Sequence, residues 1–138
     1  MVIDTSAVLA VLLDEPDGDA LLQRIVDDPV RLMSAGTPLE AGIVADHNPN
    51  PRKGPALDAL LATLGVRVEP VTEGQVRLAR EAYRRFGKGN HRAALNFGDC
   101  FAYALSKLSG EPLLFKGADF SATDVVPCRP PGSAPEPG

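Results

Sequence analysis

Hydrophobic positions follow two different spacings along this chain. Short apolar runs of strand length occur at residues 1–3 and in the segments VRLMSA, VRVEPV and PLLF. Between these runs, apolar residues recur at the three- and four-residue spacing of helices that bury one face. The predicted helices span residues 6–13, 19–27, 37–47, 56–64, 72–86 and 97–108. Strands that alternate with helices predict an α/β fold with a central, mainly parallel sheet.

Two of the predicted helices begin with recognisable capping residues. Thr37, Pro38 and Glu40 match an N-cap, a proline at the first helical position and the third residue of a capping box. Thr72 and Gln75 have the same spacing at the start of a later helix. Both helices are therefore predicted to begin at these threonines.

The helix that begins at Thr72 has an apolar face and a cationic face. We expect the apolar face to pack, and it consists of Val76, Ala79, Tyr83 and Phe86. The cationic face starts a basic run made of Arg77, Arg80, Arg84, Arg85, Lys88, His91 and Arg92. Such a run is typical either of a solvated helix face and loop or of a rim that binds phosphates.

Composition narrows the class of protein. The 138 residues are enough for one compact domain, and a hydrophobic content of 44% is ordinary for a globular chain. A net charge of −4 argues against a general nucleic-acid coat but permits a local basic patch. Cys100 and Cys128 lack metal-site or redox spacing, and no apolar run has the length of a membrane span. We expect a cytoplasmic protein whose domain covers residues 1–128, followed by a disordered Pro/Gly-rich tail at 129–138.

Four acidic residues lie where predicted strands end or helices begin, and they are Asp4, Glu40, Asp99 and Asp119. Each one alone has a structural explanation as a helix cap or a turn residue. In a parallel sheet, however, the carboxyl ends of the strands meet at one edge, where ligands commonly bind. Carboxylates gathered there repel one another unless a cation neutralises them.

The residue types at this edge indicate which cation to expect. Oxygen ligands without an accompanying His or Cys pair favour Mg²⁺ or Mn²⁺ over Zn²⁺. Such ions activate water and hold phosphates, so hydrolysis of a phosphodiester bond is the natural hypothesis. The basic run ahead of Asp99 then serves to position the polyanion, with Arg84, Arg85, Lys88 and Arg92 as candidate contacts.

Four segments together resemble the VapC toxins, the PIN-domain ribonucleases of bacterial type II toxin–antitoxin pairs. They are VIDTSAVLAVLLDEP, TPLEAGIV, FGKGNHRAALNFGDCFAYALSK and LLFKGADFSATDV. The resemblance implies a three-layer α/β/α fold and Mg²⁺- or Mn²⁺-dependent endoribonuclease activity on RNA. It also implies inhibition by a cognate VapB-like antitoxin, in a homodimer or a toxin–antitoxin hetero-oligomer.

The resemblance also assigns roles to individual residues. The acids of the family fall on Asp4, Glu40, Asp99 and Asp119, with Asp4 and Asp99 as the usual metal ligands. Secondary positions fall on Thr5 and Ser6, whose hydroxyls can orient the first acid, and on Asp124. Ala118 departs from the family, where many relatives carry a polar or acidic residue.

Three other functions compete with a toxin ribonuclease. The chain can be a housekeeping PIN nuclease that processes RNA, or a module that acts mainly by binding its antitoxin. A phosphatase that forms an aspartyl-phosphate at Asp4 is disfavoured, because Ser6 occupies the position where that chemistry needs a second acid.

Overall fold

A computed structural model describes residues 1–128 and shows four short parallel strands in one sheet. The strands are β1 (Val2–Ile3), β2 (Leu32–Ser34), β3 (Arg67–Glu69) and β4 (Leu113–Leu114). Their order across the sheet is β3-β2-β1-β4, and each neighbouring pair runs parallel. The predicted α/β class and parallel sheet are confirmed.

Six α-helices and one short 3-10 helix surround the sheet in the described part of the chain. The α-helices are α1 (Thr5–Leu12), α2 (Gly18–Asp27), α3 (Gly36–Asp46), α4 (Lys53–Thr63), α5 (Glu73–Phe86) and α6 (Phe97–Ser109). The 3-10 helix, η1, covers Asp119–Ala122. Most boundaries agree with the predicted ones within two residues, but α4 begins at Lys53, three residues before the predicted start at residue 56.

The sheet separates two hydrophobic cores because successive strand residues point to opposite faces. The core beneath α1, α2, α3 and α4 receives Ile3, Met33 and Leu114. The core beneath α5 and α6 receives Val2, Leu32 and Leu113. Helices, sheet and helices therefore form three layers, as the resemblance implied.

The capping box predicted at Thr37 and Glu40 is wrong. Helix α3 begins at Gly36, Ala35 is its N-cap, and no side chain caps it. Thr37 is buried inside the first turn, and its hydroxyl has no hydrogen-bond partner. Pro38 also lies in that turn, where a missing N–H costs nothing. The earlier start leaves the Glu40 carboxylate unused by the helix end.

The capping prediction for α5 is confirmed, but its packing face differs from the prediction. Thr72 Oγ1 accepts a hydrogen bond from the Gln75 N–H at 3.2 Å. The buried residues of the helix are Gln75, Ala82 and Phe86. Val76 and Tyr83 are 44% and 41% exposed, although both were expected to pack. Gln75 is buried in their place because its side-chain amide donates to the Pro70 carbonyl oxygen at 3.1 Å.

Three remaining features concern the ends and the surface. Within residues 1–128 no helix combines the length and the apolar character needed to cross a membrane. Cys100 is buried and Cys128 half-buried, and both are free thiols. The tail predicted at residues 129–138 lies outside the described residues.

Two glycine-to-alanine changes should alter stability in opposite directions. Gly110 caps α6 with a φ of 75°, where alanine is strained, so Gly110→Ala should lower the free energy of unfolding by about 1 kcal/mol. Gly42 lies within α3 with open space around it, so Gly42→Ala should raise that free energy by about 0.5–1 kcal/mol. Urea denaturation of both variants measures the difference, and a destabilised Gly42→Ala would contradict the described surroundings of α3.

Candidate active site

The parallel register brings the ends of β1 and β2 together. Val2 pairs with Leu32, so Asp4 and Ser34 follow on neighbouring positions two residues later. Continuing the strand alternation, both face the side of the sheet covered by α5 and α6. Helix α6 begins above this edge, and β4 on the other side of β1 leads toward Asp119. The edge therefore receives side chains from four separate segments.

Asp4 has a structural and an electrostatic role at this edge. It is the N-cap of α1, and its Oδ2 accepts hydrogen bonds from the Ser6 N–H at 3.0 Å and the Ser6 hydroxyl at 2.6 Å. Its other oxygen, Oδ1, is buried without a hydrogen-bond partner. Burial raises the pKa of Asp4, and the charge of Glu40 adds to this increase, while the Ser6 hydrogen bonds oppose it. One oxygen is thus fixed and the other is free of protein donors.

Ser6 connects Asp4 to the loop that follows β4. Its hydroxyl donates to Asp4 and accepts a hydrogen bond from the Lys116 N–H at 3.0 Å. The Lys116 ammonium in turn pairs with Glu15 and, at 3.2 Å, with Asp17. The neighbouring Thr5 hydroxyl is buried with no partner. Ser6 therefore orients the first acid, and among residues 1–128 the Thr5 hydroxyl makes no hydrogen bond to it.

Asp99 lies at the N-terminus of α6 in a complete capping box. The Asn96 side chain accepts from the Asp99 N–H, and Asp99 Oδ2 accepts from the Asn96 N–H, both at 2.9 Å. Burial raises the pKa of Asp99 to about 6, and the charges of Asp4, Asp119 and Glu40 contribute to the rise against the Asn96 hydrogen bond. The four acids therefore interact electrostatically across the edge.

Glu40 reaches the edge from α3 because α6 has a glycine there. A methyl group at Gly98 would overlap the Glu40 carboxylate. Gly98 is buried and directly precedes Asp99, so only a glycine allows these two acids to approach. Gly98 was not among the predicted site residues, although a glycine between an N-cap and an acid was a usable signal.

Asp119 and Asp124 lie in different surroundings. Asp119 is exposed at the start of η1 and contributes to the raised pKa of Asp99. Asp124 accepts hydrogen bonds from the Tyr103 hydroxyl at 2.6 Å and the Lys107 ammonium at 3.1 Å. Burial alone would raise the pKa of Asp124, but these bonds and the charges of Lys107 and Arg85 lower it.

Of the four basic residues proposed as RNA contacts, one is engaged by neighbouring protein groups and three are exposed. Arg85 lies 4.7 Å from the centre of the Phe86 ring and 3.6 Å from Asp124, so protein groups already engage it. Arg84 is exposed on α5, while Lys88 and Arg92 are exposed in the loop that precedes α6. The loop leads directly to the Asn96 cap, so these two cations lie close in sequence to Asp99.

An apolar groove of about 700 Å³ lies between α5 and α6. Its apolar walls include Val76, Tyr83, Phe97 and Phe101. Phe97 is 77% exposed, which is unusual for so large an apolar side chain. The charged residues in the lining are Arg80 and Arg84. The groove therefore has the character of a protein-binding surface with a basic rim.

Among residues 1–128, no group of three or more His, Cys, Asp or Glu side chains is arranged so that it could hold a metal ion. This arrangement differs from a structural zinc cage, in which four side chains close around the ion. Mg²⁺ usually keeps several waters and takes only one or two carboxylates from the protein. The edge is therefore an acidic site in which carboxylate oxygens such as Asp4 Oδ1 have no hydrogen-bond partner among residues 1–128.

Comparisons with known proteins identify the family. A model of the PIN domain matches residues 1–126. The ribonuclease VapC of Mycolicibacterium smegmatis is 53% identical over 126 residues, which cover 91% of this chain and 98% of that protein. Ribonuclease VapC30 of Mycobacterium tuberculosis is 48% identical over 126 residues, with coverage of 91% and 96%.

A solved structure shows the same fold. The crystal structure of VapC20 from Mycobacterium tuberculosis, described as a toxin that cleaves the sarcin-ricin loop, has a TM-score of 0.76 to this chain. It is 23% identical and covers 94% of this chain and 98% of its own. The resemblance seen in the sequence is thus confirmed at the levels of family and fold. The chain belongs to the PIN-domain family and, within it, to the VapC ribonucleases.

Proposed function

We propose that this protein is a metal-dependent endoribonuclease toxin that hydrolyses RNA in the cytoplasm and is neutralised by a cognate antitoxin. The observation that carries the proposal is the convergence of three acids at one sheet edge: Asp4 at the start of α1, Asp99 at the start of α6, and Glu40, whose carboxylate packs against Gly98. The VapC relatives, named as ribonucleases, support the choice of RNA as substrate. An aspartyl-phosphate mechanism fits less well, because Asp4 is only 3% exposed.

The acidic edge fits Mg²⁺ or Mn²⁺ in its donor chemistry. Its donors are carboxylate oxygens, which hard divalent cations prefer. Among residues 1–128, Asp4 Oδ1 is buried without a partner. Burial raises the pKa of Asp99, and the charges of Asp4, Asp119 and Glu40 add a repulsion that a cation would relieve. When bound, such an ion supplies an activated water and binds a phosphate oxygen.

The acidic side chains and Ser6 have different roles at this site. Asp4 and Asp99 would hold the ion, while Glu40 and Asp119 add negative charge from α3 and η1. Ser6 fixes Asp4 Oδ2 by two hydrogen bonds, which leaves Oδ1 for the ion. Attack by water, rather than by the ribose 2′-hydroxyl, breaks the bond to the 3′ oxygen. The products are a 3′-hydroxyl and a 5′-phosphate.

Basic residues that make no ion pair within residues 1–128 would position the RNA strand. Lys88 and Arg92 lie exposed in the loop that leads to the Asn96 cap, and Arg84 lies on α5. Contacts of these side chains to phosphates bind RNA with little dependence on its sequence. We infer that Arg85 contributes less, because Asp124 already pairs with its guanidinium.

We infer that the antitoxin covers the α5–α6 groove with a segment that is apolar and flanked by acidic side chains. Complementary charge supports this occupant, since the charged residues that line the groove are arginines. If a second copy of this chain packed its α5 against α5 of the first copy, Arg80 and Arg84 of one copy would instead approach Arg80 and Arg84 of the other. Like charges placed together at an interface cost binding energy.

Neutralising either principal acid should abolish cleavage. Asp4→Asn and Asp99→Asn retain hydrogen-bond acceptors at the two caps but remove a charged ligand, so the cleavage rate should fall at least about 100-fold. Total RNA incubated with Mg²⁺ or Mn²⁺, followed by mapping of 5′ ends, measures the rate. Asp58→Asn, at an exposed acid of α4, is the matched control and should cleave normally.

Two outcomes would contradict this assignment. Metal-dependent cuts that persist in both Asp4→Asn and Asp99→Asn would place the reaction elsewhere in the protein. A native protein that makes no cut with any divalent ion, yet binds its antitoxin, would favour a module that acts by binding alone.

The stability of the metal-free protein should depend on pH through Asp99. Its folded pKa of about 6 exceeds the ordinary value of 3.8, so the folded state binds this proton more tightly. The contribution to stability is therefore full below about pH 4 and is lost as the pH rises to about 6. Asp99→Asn has no such carboxyl, so its free energy of unfolding should exceed that of the native protein by about 1–2 kcal/mol above pH 6. This figure includes a reduction for the partial exposure of the Asp99 carboxyl.

Urea denaturation of the native protein and Asp99→Asn between pH 4 and pH 8 measures this difference. The two proteins should converge near pH 4, and Mn²⁺ at neutral pH should stabilise the native protein more than the variant. A difference that is constant across the pH range would show that Asp99 acts only as a helix cap.

Reversing one charge at the groove should weaken antitoxin binding. With the protein encoded directly beside this gene as the probe, Arg80→Glu should raise the dissociation constant at least about tenfold. Arg52→Glu, at an exposed arginine ahead of α4, is the control and should stay within about twofold. Isothermal titration calorimetry measures both constants.

Sedimentation of the free protein tests whether a second copy of this chain, rather than the antitoxin, occupies the groove. A dimer of this chain that dissociates in Arg80→Glu, together with unchanged affinity for the neighbouring protein, would show that the groove joins two copies instead.

A further inference from the structure

Three residues of α6 form a stripe at four-residue spacing. Asp99 is in the first turn, Tyr103 follows one turn later, and Lys107 follows after another turn. Residues at this spacing lie on one side of a helix. Tyr103 and Lys107 both donate to the carboxylate of Asp124, at 2.6 and 3.1 Å. Arg85 of α5 approaches the same carboxylate at 3.6 Å. We call Tyr103, Lys107, Arg85 and Asp124 the Asp124 cluster.

The Asp124 cluster fastens the segment that carries Asp119. Helix η1 is short, and Phe120 within it is buried against Phe115, with ring centres 5.2 Å apart. Thr123 closes the turn, since its hydroxyl donates to the Phe120 carbonyl oxygen at 2.7 Å. Asp124 follows Thr123, and its hydrogen bonds with Tyr103 and Lys107 attach the end of this segment to α6. The cluster therefore connects η1 to the same helix that presents Asp99.

Asp119 depends on this attachment for its position. It is exposed, and among residues 1–128 its carboxylate accepts no side-chain or backbone hydrogen bond that would hold it. Its location follows from the backbone of η1, which Phe120 anchors in the core. Upstream, the Lys116 N–H is held by the Ser6 hydroxyl at 3.0 Å. Downstream, the chain is held by the Asp124 cluster and by the backbone hydrogen bonds that Leu113 makes with Val126 and Cys128. Release of either end would let Asp119 move relative to Asp99.

We propose that Tyr103 and Lys107 are positioning residues for the ribonuclease reaction, because they hold Asp124 and so fix Asp119 beside Asp99. Tyr103 matters more than Lys107, because Tyr103 is 3% exposed and makes the shorter hydrogen bond to Asp124, whereas the Lys107 side chain is 37% exposed. This inference rests on the proposed metal-dependent cleavage. It gives Asp124 a role distinct from that of a metal ligand.

Tyr103→Phe removes only the hydroxyl and tests the proposal. We expect amide exchange at Ser121 and Thr123 to accelerate at least tenfold, and the Mn²⁺ concentration for half-maximal cleavage to rise at least fivefold. The Michaelis constant for RNA should stay within twofold. Ser106→Ala is the matched control, because Ser106 is also buried on α6 and donates to the Glu111 carbonyl oxygen at 2.7 Å, away from η1.

A double-mutant cycle decides whether the effect passes through Asp119. If it does, adding Tyr103→Phe to Asp119→Asn should leave the Mn²⁺ dependence of Asp119→Asn unchanged within twofold. Independent, additive losses would overturn the proposal, as would a Tyr103→Phe variant that matches Ser106→Ala. A change confined to the Michaelis constant for RNA would instead assign the cluster to RNA binding, and would also overturn it.

Failure of the proposed function has a different signature from failure of this inference. If the native protein cleaves no RNA, the exchange rates and direct Mn²⁺ binding still report whether Tyr103 controls η1. If cleavage requires Asp99 but is indifferent to Tyr103, the nuclease assignment stands and the positioning role does not.

Discussion

Repulsion among carboxylates is the constraint on which this structure depends. Four acids reach one edge of a small sheet, and the burial that raises the pKa of Asp99 is reinforced by the charges of its three neighbours. The fold tolerates this cost through local hydrogen bonds: Ser6 donates twice to Asp4, and the Asn96 backbone donates to Asp99. Asp4 is therefore held as the N-cap of α1 and Asp99 as the third residue of the α6 capping box, and their chemistry is added to a structural role.

The parallel sheet makes this concentration of charge possible. Strands β1 and β2 end in register, so the turns that follow them deliver Asp4 and the start of α3 to neighbouring positions. Helix α6 then approaches from the other layer, with Gly98 leaving room for Glu40. Residues widely separated in sequence meet because the topology has only one edge at which strands end and helices begin.

The sequence predicted the features that follow from local patterns. Strand and helix order, the Thr72 cap and the candidate acids that follow strands or lie near helix starts all come from spacing and residue type. Two predictions failed where tertiary contacts decide. The start of α3 depends on the close packing of Gly36 against Phe101, which Thr37 and Glu40 do not reveal. The packing face of α5 depends on the hydrogen bond of Gln75 to Pro70, a polar contact that a hydrophobic pattern cannot show.

The double role of Asp4 has a consequence for how such a protein can change during evolution. Because the same carboxylate begins α1 and belongs to the acidic edge, a substitution there threatens the fold and the chemistry together. Asp119 and Glu40 cap no helix through their side chains. A lineage that loses activity while it keeps a folded, partner-binding protein should therefore lose Glu40 or Asp119 before Asp4, so the order of loss among descendants records which acids the fold itself requires.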